Sequence, residues 1–119
     1  MIKKVLIAED ELLVARVLKM ALEKKQLEVI QVSDEAGAIT TATEFRPDLV
    51  ILDIHLKNKT CGINAGKQIR KNGISCPIIF TTGNSYEQTK EEIKDIANSH
   101  LFIKPIDPEQ LFKYMQLNF

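Results

Sequence analysis

The sequence predicts an α/β fold, a doubly wound parallel sheet of five strands flanked by five helices. Short apolar runs, rich in β-branched and aromatic residues, alternate along the chain with longer segments of helical period. Strands that alternate with helices pair in parallel through right-handed crossovers, which place helices on both faces of the sheet. The predicted strands are Val5–Ala8, Val29–Val32, Leu49–Leu52, Ile78–Phe80 and Leu101–Ile103.

The first two helices are predicted from apolar residues that recur every three or four positions. The first covers about Glu11–Lys25. The second ends at Arg46, because the residue before Pro47 avoids helical backbone angles. The apolar stripe is Leu13, Val14, Val17, Leu18, Ala21 and Leu22 in the first helix, and Ala36, Ile39, Thr40 and Thr43 in the second.

The remaining helices are predicted mainly from their terminal signals. The third covers about Asn64–Lys71, and the fourth begins at Ser85, with Gln88 placed for a capping box. In the fifth, Asp107 is the N-cap and Pro108 the first helical residue. The apolar anchors are Ile93, Ile96 and Ala97 in the fourth helix, and Leu111, Phe112 and Met115 in the fifth.

Length and composition indicate a single domain over residues 1–119. The 16 basic and 16 acidic residues cancel, which removes the general attraction to nucleic acid or to an anionic membrane. No apolar stretch is long enough for a membrane span or a secretory signal, so we expect a cytoplasmic protein. Cys61 and Cys76 are then expected to be reduced and without a metal.

Polar residues follow four of the predicted strands. Glu9 and Asp10 follow the first, Asp53 the third, Thr82 the fourth and Lys104 the fifth. Ligands of a doubly wound sheet bind at the carboxyl ends of its strands, so these side chains are expected to meet at one edge. For Asp10 alone, capping of the first helix is an equally good interpretation.

The expected cluster has the chemistry needed to accept a phosphoryl group. Three adjacent carboxylates repel one another unless a cation lies among them, and a site made only of oxygen ligands suits Mg²⁺. One carboxylate is then free to act as a nucleophile and form an acyl phosphate. A lysine ammonium and a threonine hydroxyl can each bind a phosphoryl oxygen.

These motifs resemble the receiver domain of two-component response regulators, and the resemblance covers essentially the whole chain. The family has the CheY-like, flavodoxin-like fold, with parallel strands in the order 2-1-3-4-5. The matching segments are Ala8–Asp10, Leu49–Ile54, Pro77–Gly83 and Lys104–Pro105.

The resemblance implies a role for each site residue. Asp53 would be phosphorylated by a histidine-kinase phosphodonor, with Thr82 as the switch hydroxyl and Lys104 as the phosphate-pairing lysine. The Mg²⁺ ligands would be Asp10, Asp53 and the backbone carbonyl of His55, with Glu9 contributing through water. Lys104 would precede a cis peptide bond to Pro105.

Four positions depart from the family pattern. Glu9 stands where aspartate is commoner, and Cys61 replaces the acid that often precedes Gly62. Thr81 falls where the family usually carries an apolar strand residue. Leu101 replaces the Tyr or Phe whose ring rotates as the threonine moves, so Leu101 is expected to act in the switch without a ring.

Three other classes of protein were considered. A haloacid dehalogenase-type hydrolase needs a second Asp two residues after its nucleophile, where this chain has His55. A flavin-binding module needs a phosphate loop where this chain has acids. The alternative left open is a receiver-like interaction module that works without phosphorylation. The His55 side chain is expected at the pocket rim.

The resemblance also predicts partners. The chain is expected to be a phosphoacceptor rather than an enzyme, although one that assists its own phosphorylation and dephosphorylation. Its donor would be a sensor histidine kinase or a phosphotransfer protein. Its output face would comprise the fourth helix, fifth strand and fifth helix, with Tyr114 and Leu117 as an apolar patch and a phosphorylation-dependent homodimer as one alternative. His100 is expected at the surface or at the strand entry.

Overall fold

Five parallel strands and five helices alternate in the computed structural model, which describes residues 1–56, 61–83 and 86–119. The strands are β1 (Lys4–Ala8), β2 (Glu28–Val32), β3 (Leu49–Asp53), β4 (Ile78–Thr82) and β5 (Ser99–Ile103). The helices are α1 (Leu12–Lys24), α2 (Glu35–Phe45), α3 (Cys61–Lys71), α4 (Tyr86–Ile93) and α5 (Pro108–Asn118). The predicted α/β class is confirmed.

The strands form one sheet in the order β2-β1-β3-β4-β5, as the resemblance implied. The chain passes from β1 to β2 on one side, and then returns to place β3 on the other side of β1. The order therefore reverses between β1 and β3. A crevice forms outside the carboxyl ends of the strands at such a reversal.

Each face of the sheet packs against its own hydrophobic core, because successive strand residues point to opposite faces. In β1, Leu6 and Ala8 belong to one core, which includes Ala38 of α2. Val5 and Ile7 belong to the other, which includes Leu18 of α1 and Leu111 of α5. All five residues of β3 are buried, as is typical of a central parallel strand.

The predicted apolar stripe of α1 is only partly buried. Leu18 is buried, but Leu13 is 78% and Val17 is 61% exposed. The residues that face the core are Ala15, Leu18 and Leu22. The helix has more apolar positions than one core-facing stripe can bury, so the prediction was wrong for Leu13 and Val17.

The predicted stripe of α2 was wrong for three of its four residues. Ala36, Thr40 and Thr43 are exposed, whereas Ile39 packs against the core beside the buried Ala38 and Ala42. Small alanines allow α2 to approach the sheet and α3 closely, but they give a weak hydropathy signal. Periodicity therefore identified the helix without identifying its buried face.

The end of α4 also differs from the prediction. The helix ends at Ile93, and although Ile93 and Ile96 are buried as expected, Ala97 is exposed. The predicted start at Ser85 lies outside the described residues, and the Gln88 side chain lies outside them as well.

The N-terminus of α5 is formed as predicted. The Asp107 carboxylate accepts a hydrogen bond from the backbone N–H of Glu109 at 3.0 Å, and Pro108 is the first helical residue. No helix among the described residues is long and apolar enough to cross a bilayer.

Candidate functional site

Carboxylates from two adjacent strands meet at the carboxyl edge of the sheet. Glu9 and Asp10 follow β1, and Asp53 is the last residue of β3, the neighbouring strand. One carboxylate oxygen from each residue can be chosen so that all three lie within 4.8 Å of one another. The structure therefore brings together the three acids that the sequence placed at strand ends.

Lys104 joins this cluster from the end of β5. Its ammonium lies 2.8 Å from Oε1 of Glu9, 3.1 Å from Oδ2 of Asp53 and 3.5 Å from Oε1 of Glu11. The Lys104 backbone N–H donates to the Thr82 carbonyl at 2.8 Å, which fixes where the side chain begins. The Lys104–Pro105 peptide bond is cis.

Glu9 is held by both its backbone and its side chain. Its backbone N–H donates to the Val32 carbonyl at 3.0 Å, and its carbonyl accepts from the Gln31 side-chain amide at 2.9 Å. Its Oε2 accepts from the Glu11 N–H at 3.3 Å. These contacts leave Oε1 directed at Lys104.

Close backbone packing positions Asp53. Its Oδ1 accepts from the His55 N–H at 3.1 Å, and Gly62 at the start of α3 donates to the Ile54 carbonyl at 3.0 Å. A Cβ on Gly62 would lie 2.1 Å from the Asp53 carbonyl oxygen, far inside van der Waals contact. Glycine is therefore required where α3 approaches the end of β3.

The electrostatics of the cluster are dominated by its acids. Burial, and to a lesser extent the neighbouring Asp53, raise the pKa of Glu9 to about 7, although the contacts with Lys104 act to lower it. Burial alone would lower the pKa of Lys104, but hydrogen bonds to Glu9 and Asp53 outweigh burial and raise that pKa. The positive charge of Lys104 alone therefore does not balance the negative charge of the clustered carboxylates.

This donor set fits a divalent cation that prefers oxygen ligands. Glu9, Asp10 and Asp53 offer carboxylate oxygens only, and two of the three are buried, so the ligands are of the kind that Mg²⁺ takes. The His55 backbone N–H donates to the Asp53 carboxylate. The role of the His55 carbonyl as a metal ligand remains a prediction.

The cluster opens into a surface cavity of about 520 Å³. The His55 side chain lines it and is partly exposed, which agrees with the predicted rim position. A phosphoryl-sized group can therefore reach Asp53 from solvent. The lining residues are Asp10, Glu11, Val14, Asp53, His55, Gly83, Lys104 and Pro105.

The two predicted switch residues differ in burial. Thr82 ends β4 and is fully buried. Leu101 pairs with Phe80 in the β4–β5 register and packs, half-buried, against the core under α3. Their predicted roles in switching stay predictions.

Sequence reasoning missed two features of the site. Glu11 contributes a third carboxylate near Lys104, and the only signal for it was its place beside Glu9 and Asp10. The close approach of Gly62 to Asp53 gave no signal beyond the glycine itself. Glu11, rather than Asp10, occupies the N-cap position of α1.

The fold and this acid–lysine cluster together define a receiver-type domain. The chain belongs to the response regulator receiver domain family, whose model matches residues 5–116. Receiver domains usually bind Mg²⁺ at an acidic cluster, and here the acidic group is Glu9, Asp10 and Asp53.

Curated relatives agree with this family. The chain is 32% identical over 109 residues to the alkaline phosphatase synthesis transcriptional regulatory protein PhoP of Bacillus subtilis, covering 92% of this chain and 45% of that protein. It is 33% identical to the autoinducer 2 sensor kinase/phosphatase LuxQ of Vibrio vulnificus, covering 91% of this chain and 13% of that protein. The chain thus spans less than half of either relative.

Solved structures share the fold over nearly the whole chain. The chemotaxis protein CheY4 of Vibrio cholerae superposes with a TM-score of 0.90 at 26% identity, covering 100% of both chains. A two-component response regulator from Clostridium difficile gives a TM-score of 0.88 at 25% identity, covering 97% of this chain and 93% of that one.

Proposed function

We propose that this chain is the phosphoacceptor of a two-component system in the cytoplasm, with Asp53 as the phosphorylated residue. The observation that carries the proposal is the position of Asp53. Its buried carboxylate lies 3.1 Å from the Lys104 ammonium and beside Glu9 and Asp10, at the base of a cavity open to solvent.

The proposed chemistry is transfer from a phosphohistidine to an aspartate. An Asp53 carboxylate oxygen forms a bond to phosphorus while the bond from phosphorus to the donor imidazole nitrogen breaks, giving an acyl phosphate and a free histidine. A bound Mg²⁺ would neutralise part of the negative charge on the phosphoryl group. Lys104 pairs with a phosphoryl oxygen, which requires its ammonium to exchange carboxylate partners for that oxygen.

A protein donor is favoured by the surface beside the cavity. Leu12, Leu13 and Val17 of α1 are 70%, 78% and 61% exposed, and Val14 lines the cavity itself. Large apolar side chains clustered on one exposed helix are typical of a surface that another protein covers. We propose that a sensor histidine kinase or phosphotransfer protein contacts α1 while it delivers its phosphoryl group.

The proposed output runs through Thr82 to the surface of α4, β5 and α5. A phosphoryl group on Asp53 would attract the Thr82 hydroxyl, an interaction that exists only in the phosphorylated state and therefore favours a new conformation. Because β5 lies at the edge of the sheet beside β4 in the described part of the chain, a shift at β4 reaches the surface directly. A partner or an attached output domain would respond there.

The apolar patch predicted on α5 is smaller than expected. Tyr114 packs edge-to-face with His100 and Phe102, and His100 Nδ1 lies 2.5 Å from the Tyr114 hydroxyl oxygen. Tyr114 and His100 therefore connect α5 to β5, and His100 is a half-buried residue at the entry of β5, the second of its two expected positions. Leu117, 80% exposed, remains available to a partner or a second copy.

Amide chemical shifts distinguish this proposal from a phosphorylation-independent interaction module. The chain is treated with acetyl phosphate, with and without Mg²⁺, and its amide spectra are recorded. The proposal predicts Mg²⁺-dependent shifts near Asp53 that extend to β5 and α5. Shifts absent under both conditions would favour the interaction module.

A further inference from the structure

A second cavity lies on the other side of Lys104, between α1 and the connection from β5 to α5. Its volume is about 270 Å³, slightly below the usual range for sites that bind drug-sized ligands. The walls are apolar, and three residues form a polar end. The main wall residues are Val14, Leu18, Ile51, Ile106 and Pro108, and the polar end is Glu9, Thr81 and Lys104.

Thr81 points into this cavity as a consequence of strand geometry. Ile79, two residues earlier in β4, belongs to the core on the α1 and α5 side, so Thr81 faces the same side. A threonine there fills less volume than leucine, and it places a hydroxyl against the apolar walls.

The Thr81 hydroxyl has no protein partner in the part of the chain that the structure describes. The residue is 3% exposed, and its backbone carbonyl accepts a hydrogen bond from the Ile54 N–H at 3.0 Å. A buried polar group that faces a cavity is therefore a place where a ligand can add a hydrogen bond that the protein lacks.

We propose that this cavity binds a small apolar molecule with one neutral hydrogen-bonding head, of the alcohol or phenol class. The apolar walls would hold the body of the ligand, and the Thr81 hydroxyl would bind its head.

The charged residues at the polar end of the cavity favour a ligand whose head group is neutral. The Glu9 carboxylate and the Lys104 ammonium lie 2.8 Å apart, and Lys104 also contacts Asp53. A charged head would have to displace one of these pairs and lose its own hydration. A hydroxyl head needs only the Thr81 side chain, which can donate or accept.

The site adjoins the candidate phosphorylation site without depending on it. Lys104, Pro105 and Val14 line both cavities. An occupant would restrict the space through which the Lys104 side chain can move. Binding itself rests on Thr81 and the apolar walls, so it is testable whether or not Asp53 is phosphorylated.

Methyl NMR of the full chain tests the proposal with 4-methylphenol as the probe. Toluene, which lacks the hydroxyl, and 4-methylbenzoate, which carries an anionic head, serve as matched compounds. We expect saturable shifts at the methyl groups of Leu18, Ile51 and Thr81. A single neutral hydrogen bond of about 1 kcal/mol corresponds to about fivefold tighter binding than toluene.

Two variants separate the head contact from the walls. Thr81→Val keeps the shape but removes the hydroxyl, so its affinity for 4-methylphenol should fall about fivefold and match that of toluene. Thr81→Ser keeps the hydroxyl and should bind within about twofold of wild type. Equal affinity of wild type and Thr81→Val, or tighter binding of 4-methylbenzoate, would overturn the proposal. So would unsaturable shifts confined to Leu12 and Met20, exposed residues of α1 that do not line the cavity.

Discussion

The Glu9 carboxylate lies 2.8 Å from the Lys104 ammonium, closer than Asp53, whose carboxylate is 3.1 Å away. The Glu9 and Lys104 side chains are only 6% and 18% exposed, so solvent screens this pair less than a surface ion pair. The lysine proposed to bind a phosphoryl oxygen is therefore held by Glu9 as well as by the phosphoacceptor. Because glutamate has one methylene group more than the commoner aspartate, the Glu9 carboxylate extends further toward Lys104.

Glu9 should make the stability of the metal-free protein depend on pH. Its pKa is about 7 in the folded chain against an ordinary 4.5. The folded state therefore binds this proton more tightly than the unfolded state. The resulting stabilisation is complete below pH 4.5 and is lost as the pH rises through 7. As the pH rises through this range, the free energy of unfolding of the wild type should fall by up to about 3 kcal/mol relative to that of Glu9→Gln.

Urea unfolding in EDTA, at several pH values from about 4 to 8, measures this difference. Glu23→Gln, at an exposed position of α1, is the matched control and should leave the wild-type pH profile unchanged. Mg²⁺ should stabilise the wild type more at the upper end of this range than at the lower end. Parallel profiles for wild type and Glu9→Gln would show that Glu9 titrates alike in the folded and unfolded chains.

Gly62→Ala should destabilise the fold at the phosphoacceptor. The new methyl group would lie 2.1 Å from the Asp53 carbonyl oxygen, so the backbone of β3 or α3 must move. We expect a loss of about 2 kcal/mol in the free energy of unfolding, the usual scale for overpacking a tight site. Denaturant unfolding measures it.

Gly83→Ala is the matched control for this glycine. A Cβ at Gly83 meets no atom within 4 Å, so the change in stability should stay within about 0.5 kcal/mol. If Gly62→Ala and Gly83→Ala are equally stable, the close packing of α3 on Asp53 does not constrain the chain.

Most of the fold was predictable because it depends on regular signals. Alternation of strand-like and helical segments gave all ten elements, and the Asp107 cap placed the start of α5 correctly. The buried face of α2 was not predictable, because Ala38 and Ala42 contribute through small size rather than hydropathy. Surplus apolar residues on α1, such as Leu13, equally concealed which of them face the core.

The site was predictable to the extent that it depends on strand ends. Parallel strands bring their carboxyl ends to one edge, so Asp53 and Lys104 were expected at the same edge of the sheet. The participation of Glu11 depends on side-chain reach, and the need for Gly62 depends on a backbone distance. Neither quantity is encoded in a periodic pattern.

Leu101 should make the free-energy difference between the inactive and active conformers smaller than an aromatic residue at this position would. The leucine packs half-buried against the core and has no hydroxyl to anchor either position. Unphosphorylated wild type should therefore populate a minor state visible by relaxation dispersion at Thr82 and Leu101. Leu101→Tyr should change that population. Identical profiles without a minor state in either protein would show that position 101 does not control the switch.

Intact-mass measurement after incubation with phosphoramidate and Mg²⁺ tests the central claim that Asp53 accepts a phosphoryl group. We expect the wild-type chain to gain the mass of one phosphoryl group, and to gain none when EDTA replaces Mg²⁺. Asp53→Asn should gain none under either condition, because its amide cannot form the acyl phosphate. A gain of the same mass by Asp53→Asn, or no gain by the wild type, would contradict the assignment of Asp53 as the phosphoacceptor.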